Sequence, residues 1–167
     1  MKSVIMAGGR GTRISSIAAD IPKPMLKIGN KPVLEYEIEC LRKQGLKDII
    51  ITVGYLYPAI MEYFGDGNRH SPVTGEHFGV HIEYFIEKQP LGNAGALFRL
   101  REQLSDEFLL LNGDCIFDVD FDRFIGYHQK KGGEVTLFTH PNSHPYDSGI
   151  IITDENNTVK KWLTKED

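Results

Sequence analysis

Val4-Ile5-Met6-Ala7-Gly8-Gly9-Arg10-Gly11-Thr12-Arg13 joins a four-residue apolar run to a glycine cluster that carries two arginines. Four apolar residues stopped by glycine are short for a helix and suit a buried strand. Similar β-rich runs recur at 49–53, 81–86, 108–111 and 135–139. Helical patterns lie between them. Pro32 can open a helix at its first turn, Val33, Leu34, Ile38 and Leu41 then fall on one face, and Gly45 closes it. Further helices are expected at 59–64, 94–104 and 121–130. Strand alternating with helix argues for an α/β fold around a mostly parallel sheet. Near the end, the runs at 150–153 and 159–163 flank Asn156-Asn157, whose tolerance of positive φ suits a hairpin turn, so the ending is expected to be antiparallel. Residues 66–79 hold four glycines or prolines among many polar residues and are expected to form a surface loop or flap.

The glycine cluster falls where the first strand should end, the place where α/β sheets bind ligands. Three glycines allow backbone amides to turn inward around an anion, and Arg10 and Arg13 add charge. It is not a Walker A loop, because no Gly-Lys-Ser/Thr follows. Nor is it a dinucleotide fingerprint, because Ile14 stands where the third glycine of that frame belongs. Beyond it, Pro22-Lys23-Pro24 holds a lysine between two residues that restrict the backbone. Such a lysine is either a solvated loop residue or a phosphate ligand, and the nearby anion loop favours the second.

Composition narrows the partners. The chain has 167 residues, a length that suits one domain. Lysine plus arginine number 19 against 23 acidic residues, a net charge of −4 with no basic run beyond two residues, so a nucleic-acid partner is not expected. The apolar runs are far shorter than the roughly 20 residues that span a bilayer, and the start is too weakly apolar for a signal peptide, so no membrane association is expected. Two cysteines make a reduced, cytoplasmic setting the expectation.

The motifs Ala7-Gly8-Gly9-Arg10-Gly11-Thr12-Arg13 and Ile21-Pro22-Lys23-Pro24-Met25-Leu26 together resemble the signature of sugar-1-phosphate nucleotidyltransferases, the nucleotide-sugar pyrophosphorylases. The similarity continues through Lys31-Pro32-Val33-Leu34-Glu35-Tyr36, Glu87-Lys88-Gln89-Pro90-Leu91-Gly92-Asn93-Ala94-Gly95 and Leu111-Asn112-Gly113-Asp114. In texture it is nearest the mannose- and heptose-1-phosphate guanylyltransferases. The resemblance implies that Gly8, Gly9, Gly11 and Thr12 wrap the nucleotide phosphates, that Arg13 neutralises charge at the triphosphate, and that Lys23 contacts the reacting phosphates. It places Glu87 and Gly92 in the base-recognition loop, Asp114 as a magnesium ligand, and Gly149 and Lys165 against the sugar and its phosphate. Ser148 stands where the family usually has a tyrosine, and Thr164 and Glu166 depart from the pattern around the lysine. Beyond Lys165 the family continues with another strand, an Asn-x-Gly segment and a second metal aspartate.

Other candidates are structural. Asp118 and Asp120 suit helix caps before Phe121, His77 and His81 straddle Gly79 without converging on a metal, and Cys40 and Cys115 are packed thiols. The expectation is thus a Rossmann-like, mostly parallel sheet flanked by helices with a carboxyl-terminal antiparallel hairpin. Residues 1–167 would form one nucleotidyltransferase domain, truncated relative to the family, possible as a homo-oligomer, joining a nucleoside triphosphate, GTP by the carboxylate of Glu87, to a sugar 1-phosphate with magnesium. The alternative is a binding module that kept the pocket and lost turnover.

Overall fold

The computed structural model describes residues 1–9, 20–104, 107–141 and 149–163. In chain order, β1 is Lys2–Ala7, β2 Lys27–Ile28, β3 Lys31–Pro32, α1 Val33–Lys43, β4 Asp48–Val53, α2 Tyr57–Phe64, β5 His81–Ile86, α3 Gly92–Leu100, β6 Phe108–Asn112, α4 Phe121–Lys131, β7 Ile150–Thr153 and β8 Val159–Leu163. The chain groups into two compact units, Met1–Arg123 and Phe124–Asp167.

In the first unit, four parallel strands form a sheet in the order β5-β4-β1-β6. The two inner strands are buried on both faces: Val4 and Ile5 of β1 and Ile49, Ile50 and Ile51 of β4 are almost wholly shielded. That is why their sequences are continuously apolar rather than alternating. Val4, Ile50 and Leu100 form one cluster, joined by Phe85, Leu97 and Leu104, so α3 covers one face. Strand order reverses at β1, since β4 and β5 lie on one side of it and β6 on the other. Ligands of open α/β sheets gather at such a switch point, outside the carboxyl ends of the strands.

Helix α1 forms as its pattern predicts. Pro32 precedes it with φ −59, Arg42 and Lys43 sit in the last turn where the helix dipole favours cations, and Gly45 follows at φ +80. Its buried positions include Val33, Leu34, Ile38 and Leu41, but also two carboxylates, Glu35 and Glu37. Glu35 accepts from the Tyr63 hydroxyl at 2.7 Å and from Thr74 Oγ1 at 3.3 Å. This anchors the loop at 66–79, which is drawn into a small flap by a bridge between His70 and His77.

In the second unit, the expected strand at 135–139 is irregular, which corrects the sequence expectation. Val135, Leu137 and Phe138 are exposed, and the segment is tied by side chains, Thr136 Oγ1 to His128 Nδ1 and Phe138 against Phe124. An apolar run supplies strand propensity but not a neighbour to pair with. The antiparallel hairpin forms as expected, with β7 on β8 in the register Ile150 to Leu163. Asn157 takes the positive φ of 61, while Asp154 organises the loop by accepting from the amides of Asn156 and Thr158.

Candidate active site

The predicted site residues that the structure describes in the first unit converge on the carboxyl ends of the parallel strands. Gly8 follows β1, Glu87 follows β5, and Gly113 and Asp114 follow β6. The ladder runs on past the strand ends: the amide of Glu87 donates to the carbonyl of Val53 at 2.7 Å, and that of Gly113 to Met6 at 2.9 Å. These bonds fix where the functional side chains leave the backbone.

Lys23 begins a single 3-10 turn, Lys23–Met25, closed by the Met25 amide on the Pro22 carbonyl at 2.8 Å. Its ammonium reaches Asp114, with Nζ 3.6 Å from Oδ2. The two residues are 91 positions apart in sequence and were singled out for opposite ends of one reaction, a cation for phosphates and a carboxylate for metal. Both side chains remain partly open to solvent, 28% and 46%. A pair that wet adds little to stability, so folding alone does not account for it.

Glu87 lies over Gly8. A β-carbon on Gly8 would come within 2.5 Å of Glu87 Oε1. The other oxygen, Oε2, accepts from the Leu91 amide at 3.3 Å, which closes the loop just ahead of Gly92, itself at φ +73. Gly54, after β4, was not foreseen. Its own β-carbon would fall 2.6 Å from the Gly8 carbonyl oxygen, so Gly8 is seated against a second glycine. The available signal was the same as at Gly8, a glycine stopping a β-rich run.

Glu37 was also missed. It lies beneath the Asp114 loop, 1% exposed, with Oε1 accepting from the Cys115 amide at 3.2 Å and Oε2 without a hydrogen-bond partner among the described residues. Burial pushes its carboxyl up to about 8; the Cys115 amide opposes the shift and the charge of Asp114 adds to it. Cys115 is exposed, which corrects the expectation of a packed thiol; partial burial raises its thiol, as do the charges of Asp114 and Glu37, and this disfavours a nucleophile. Between pH 4.5 and about 8 the native state holds a proton on Glu37 that the unfolded chain has released. Stability is therefore greatest below that window and falls as pH rises through it, by on the order of 5 kcal/mol. Urea midpoints taken at pH 5 and pH 8.5 should show the decline, and Glu37→Gln should remove most of it; an equal decline in the variant would assign it elsewhere.

Asp114 suits a hard cation: its carboxylate is half-exposed at a strand end beside a lysine that also suits phosphate. A different group, Asp48, His81 and Glu83, brings potential ligand atoms within 4.8 Å of one another. It lies at the amino ends of β4 and β5, away from the glycine loops, and Lys2 Nζ already stands 3.6 Å from Asp48 and 3.4 Å from Glu83. Its place at the opposite end of the strands separates it from the Asp114 site. His77 instead packs edge-on against His70.

Asp120 caps α4, accepting from the Arg123 amide at 2.9 Å. Gly11, Thr12, Arg13 and Lys165 lie outside the described residues. Gly149, in the second unit, has a packing reason to lack a side chain, since its β-carbon would sit 2.5 Å from Trp162 Nε1. Among the described residues no helix is long and apolar enough to cross a membrane, and Cys40 and Cys115 are free thiols.

Gly8 after β1, a held lysine and a carboxylate after β6 lie at the switch point of a parallel α/β sheet, where such sheets gather ligands. Residues 2–165 match the Nucleotidyl transferase family, and the chain belongs to it. It is 45% identical over 123 residues to D-glycero-alpha-D-manno-heptose 1-phosphate guanylyltransferase of Campylobacter jejuni, covering 74% of this chain and 52% of that protein. It is 35% identical to UTP--glucose-1-phosphate uridylyltransferase of Synechocystis, covering 99% of this chain and 44% of that protein. The crystal structure of HddC from Yersinia pseudotuberculosis complexed with GMP-PN superimposes with a TM-score of 0.73 at 28% identity, covering 98% of this chain and 69% of that one. The chain spans about half the length of the curated relatives it matches.

Proposed function

We propose that this chain carries the nucleotide-binding and reacting centre of a sugar-1-phosphate nucleotidyltransferase. The observation that carries the proposal is the approach of Lys23 to Asp114 beside the Gly8 loop. A sugar-phosphate oxygen attacks the α-phosphorus of a nucleoside triphosphate, a new phosphorus–oxygen bond forms, and the bond to pyrophosphate breaks. Two anions must be brought together, so the protein's work is positioning and charge compensation. Lys23, and Arg13 from the glycine loop, supply fixed positive charge; amides from Gly8, Gly9, Gly11 and Thr12 surround the phosphates. Asp114 would hold magnesium, which would offset phosphate charge. Gly149 and Lys165 are assigned to the sugar phosphate. A reduced, cytoplasmic setting suits the two free thiols.

The nucleotide is GTP in this proposal, by the carboxylate of Glu87. Guanine offers an N1 hydrogen and an amino group side by side, and an ionised carboxylate accepts both. Uracil and thymine set one imide hydrogen between two carbonyls, which leaves a carboxylate facing an acceptor. The relatives include both a guanylyl- and a uridylyltransferase, so the base is worth measuring directly. GTP should bind at least tenfold more tightly than UTP or dTTP, and Glu87→Gln should erase most of that gap. UTP binding as tightly as GTP, or an unchanged preference in Glu87→Gln, would remove guanine. For the activity itself, pyrophosphate release should be followed with each common nucleoside triphosphate against several sugar 1-phosphates. Release with one pair establishes transfer; tight nucleotide binding with no release from any pair leaves a binding module.

A further inference from the structure

We propose that Glu37 is a positioning residue for Asp114, holding the loop after β6 against α1 so that the carboxylate meets Lys23 and the metal. This rests on the role given above to Asp114. The loop is clamped at three places. At its start the Gly113 amide donates to Met6 of β1 at 2.9 Å. At its end Gln44, just after α1, donates from Nε2 to the Val119 carbonyl at 2.9 Å and accepts at Oε1 from the Phe121 amide at 2.8 Å. Between them, one residue beyond Asp114, the Cys115 amide donates to Glu37 Oε1 at 3.2 Å. Glu37 and Gln44 are seven residues apart, two helical turns, which brings them to one face.

Stability does not explain the choice of residue. Glu37 is surrounded by protein, and its second oxygen is a buried polar atom with no partner among the described residues, an arrangement that costs more than an apolar side chain of the same length. What the glutamate supplies is one acceptor, aimed at the amide that follows Asp114. Without it, among the described residues, the backbone hydrogen bonds nearest Asp114 are those of Gly113 and Val119, and between them the loop is held by side chains, Asp114 on Lys23 and Phe117 edge-on against Phe121. A carboxylate displaced by about 1 Å no longer shares a metal properly with bound phosphates.

The test compares Glu37→Gln, which keeps the acceptor, with Glu37→Met, which keeps the length and loses it. Amide exchange at Cys115 should speed up at least tenfold in Glu37→Met and stay near wild type in Glu37→Gln, with exchange in β1 unchanged in both. Affinity for Mn2+ in the GTP complex should fall about tenfold in Glu37→Met while metal-free GTP affinity stays within twofold, and Glu37→Gln should restore it. A wild-type Cys115 exchange rate or Mn2+ affinity in Glu37→Met overturns the proposal, as does a Glu37→Gln variant as impaired as Glu37→Met. Asp114→Asn separates the two claims. If it leaves Mn2+ affinity intact, the role of Asp114 fails and the positioning role falls with it; if it lowers affinity and Glu37→Met does not, the positioning role alone fails.

Discussion

Alanine in place of Lys23 is expected to lower nucleotidyl transfer by more than a hundredfold while leaving the fold intact. The ammonium stands 3.6 Å from Asp114 in a turn pinned between Pro22 and Pro24, so its position is set before any ligand arrives. A prearranged charge aimed at a transferring phosphoryl group can contribute about 3 to 4 kcal/mol to the barrier, which is more than two factors of ten in rate. Its contribution to stability is small because the pair is partly solvated, so the unfolding midpoint should barely move. Arg13→Ala should cost a similar factor through the triphosphate. Turnover measured at saturating substrates decides the matter, and a near-wild-type rate in either variant removes that residue from the centre.

Gly54→Ala should be nearly as damaging, by a different route. The new β-carbon would lie 2.6 Å from the Gly8 carbonyl oxygen and 3.3 Å from Gly8 Cα, both backbone atoms that cannot rotate aside. The ends of β1 and β4 must separate, and overpacking of this kind costs about 1 to 3 kcal/mol. Nucleotide affinity is expected to fall at least thirtyfold, because Gly8, assigned to the nucleotide phosphates, is displaced. Gly8→Ala meets the Glu87 carboxylate, which can swing away, so it should alter base preference more than affinity. Gly126→Ala, which meets nothing within 4 Å, is the control and should bind nucleotide normally. Calorimetric titration of the three variants distinguishes these outcomes; wild-type affinity in Gly54→Ala would detach the glycine contact from binding.

The parts of the fold visible in the sequence were those written in short-range pattern. The apolar stripe of α1 between Pro32 and Gly45, the runs that became β1, β4, β5 and β6, and the Asp120 cap each depend on neighbours within a few positions. The stretch at 135–139 carried the same local signal and formed no strand, because pairing is a property of two segments and only one was visible. Site residues followed the same division. Gly8, Lys23, Glu87 and Asp114 stood in motifs; Glu37 did not, since its role comes from an amide 78 positions away. A glutamate in an amphipathic helix reads as a solvated residue until the loop that covers it is placed.

The placement of β1 between β4 and β6 also sets the order in which the sheet can be completed. β1 is made before its sheet partners, yet its pairing of Lys2 with Phe108 spans about a hundred residues, so one of its edges waits until that much more chain is synthesised. At ribosomal rates of about 5 to 20 residues per second, that is a delay of roughly 5 to 20 seconds. During this interval that edge of β1 offers an unpaired ladder of amides and carbonyls to any passing strand, which makes it an edge in need of protection before β6 emerges.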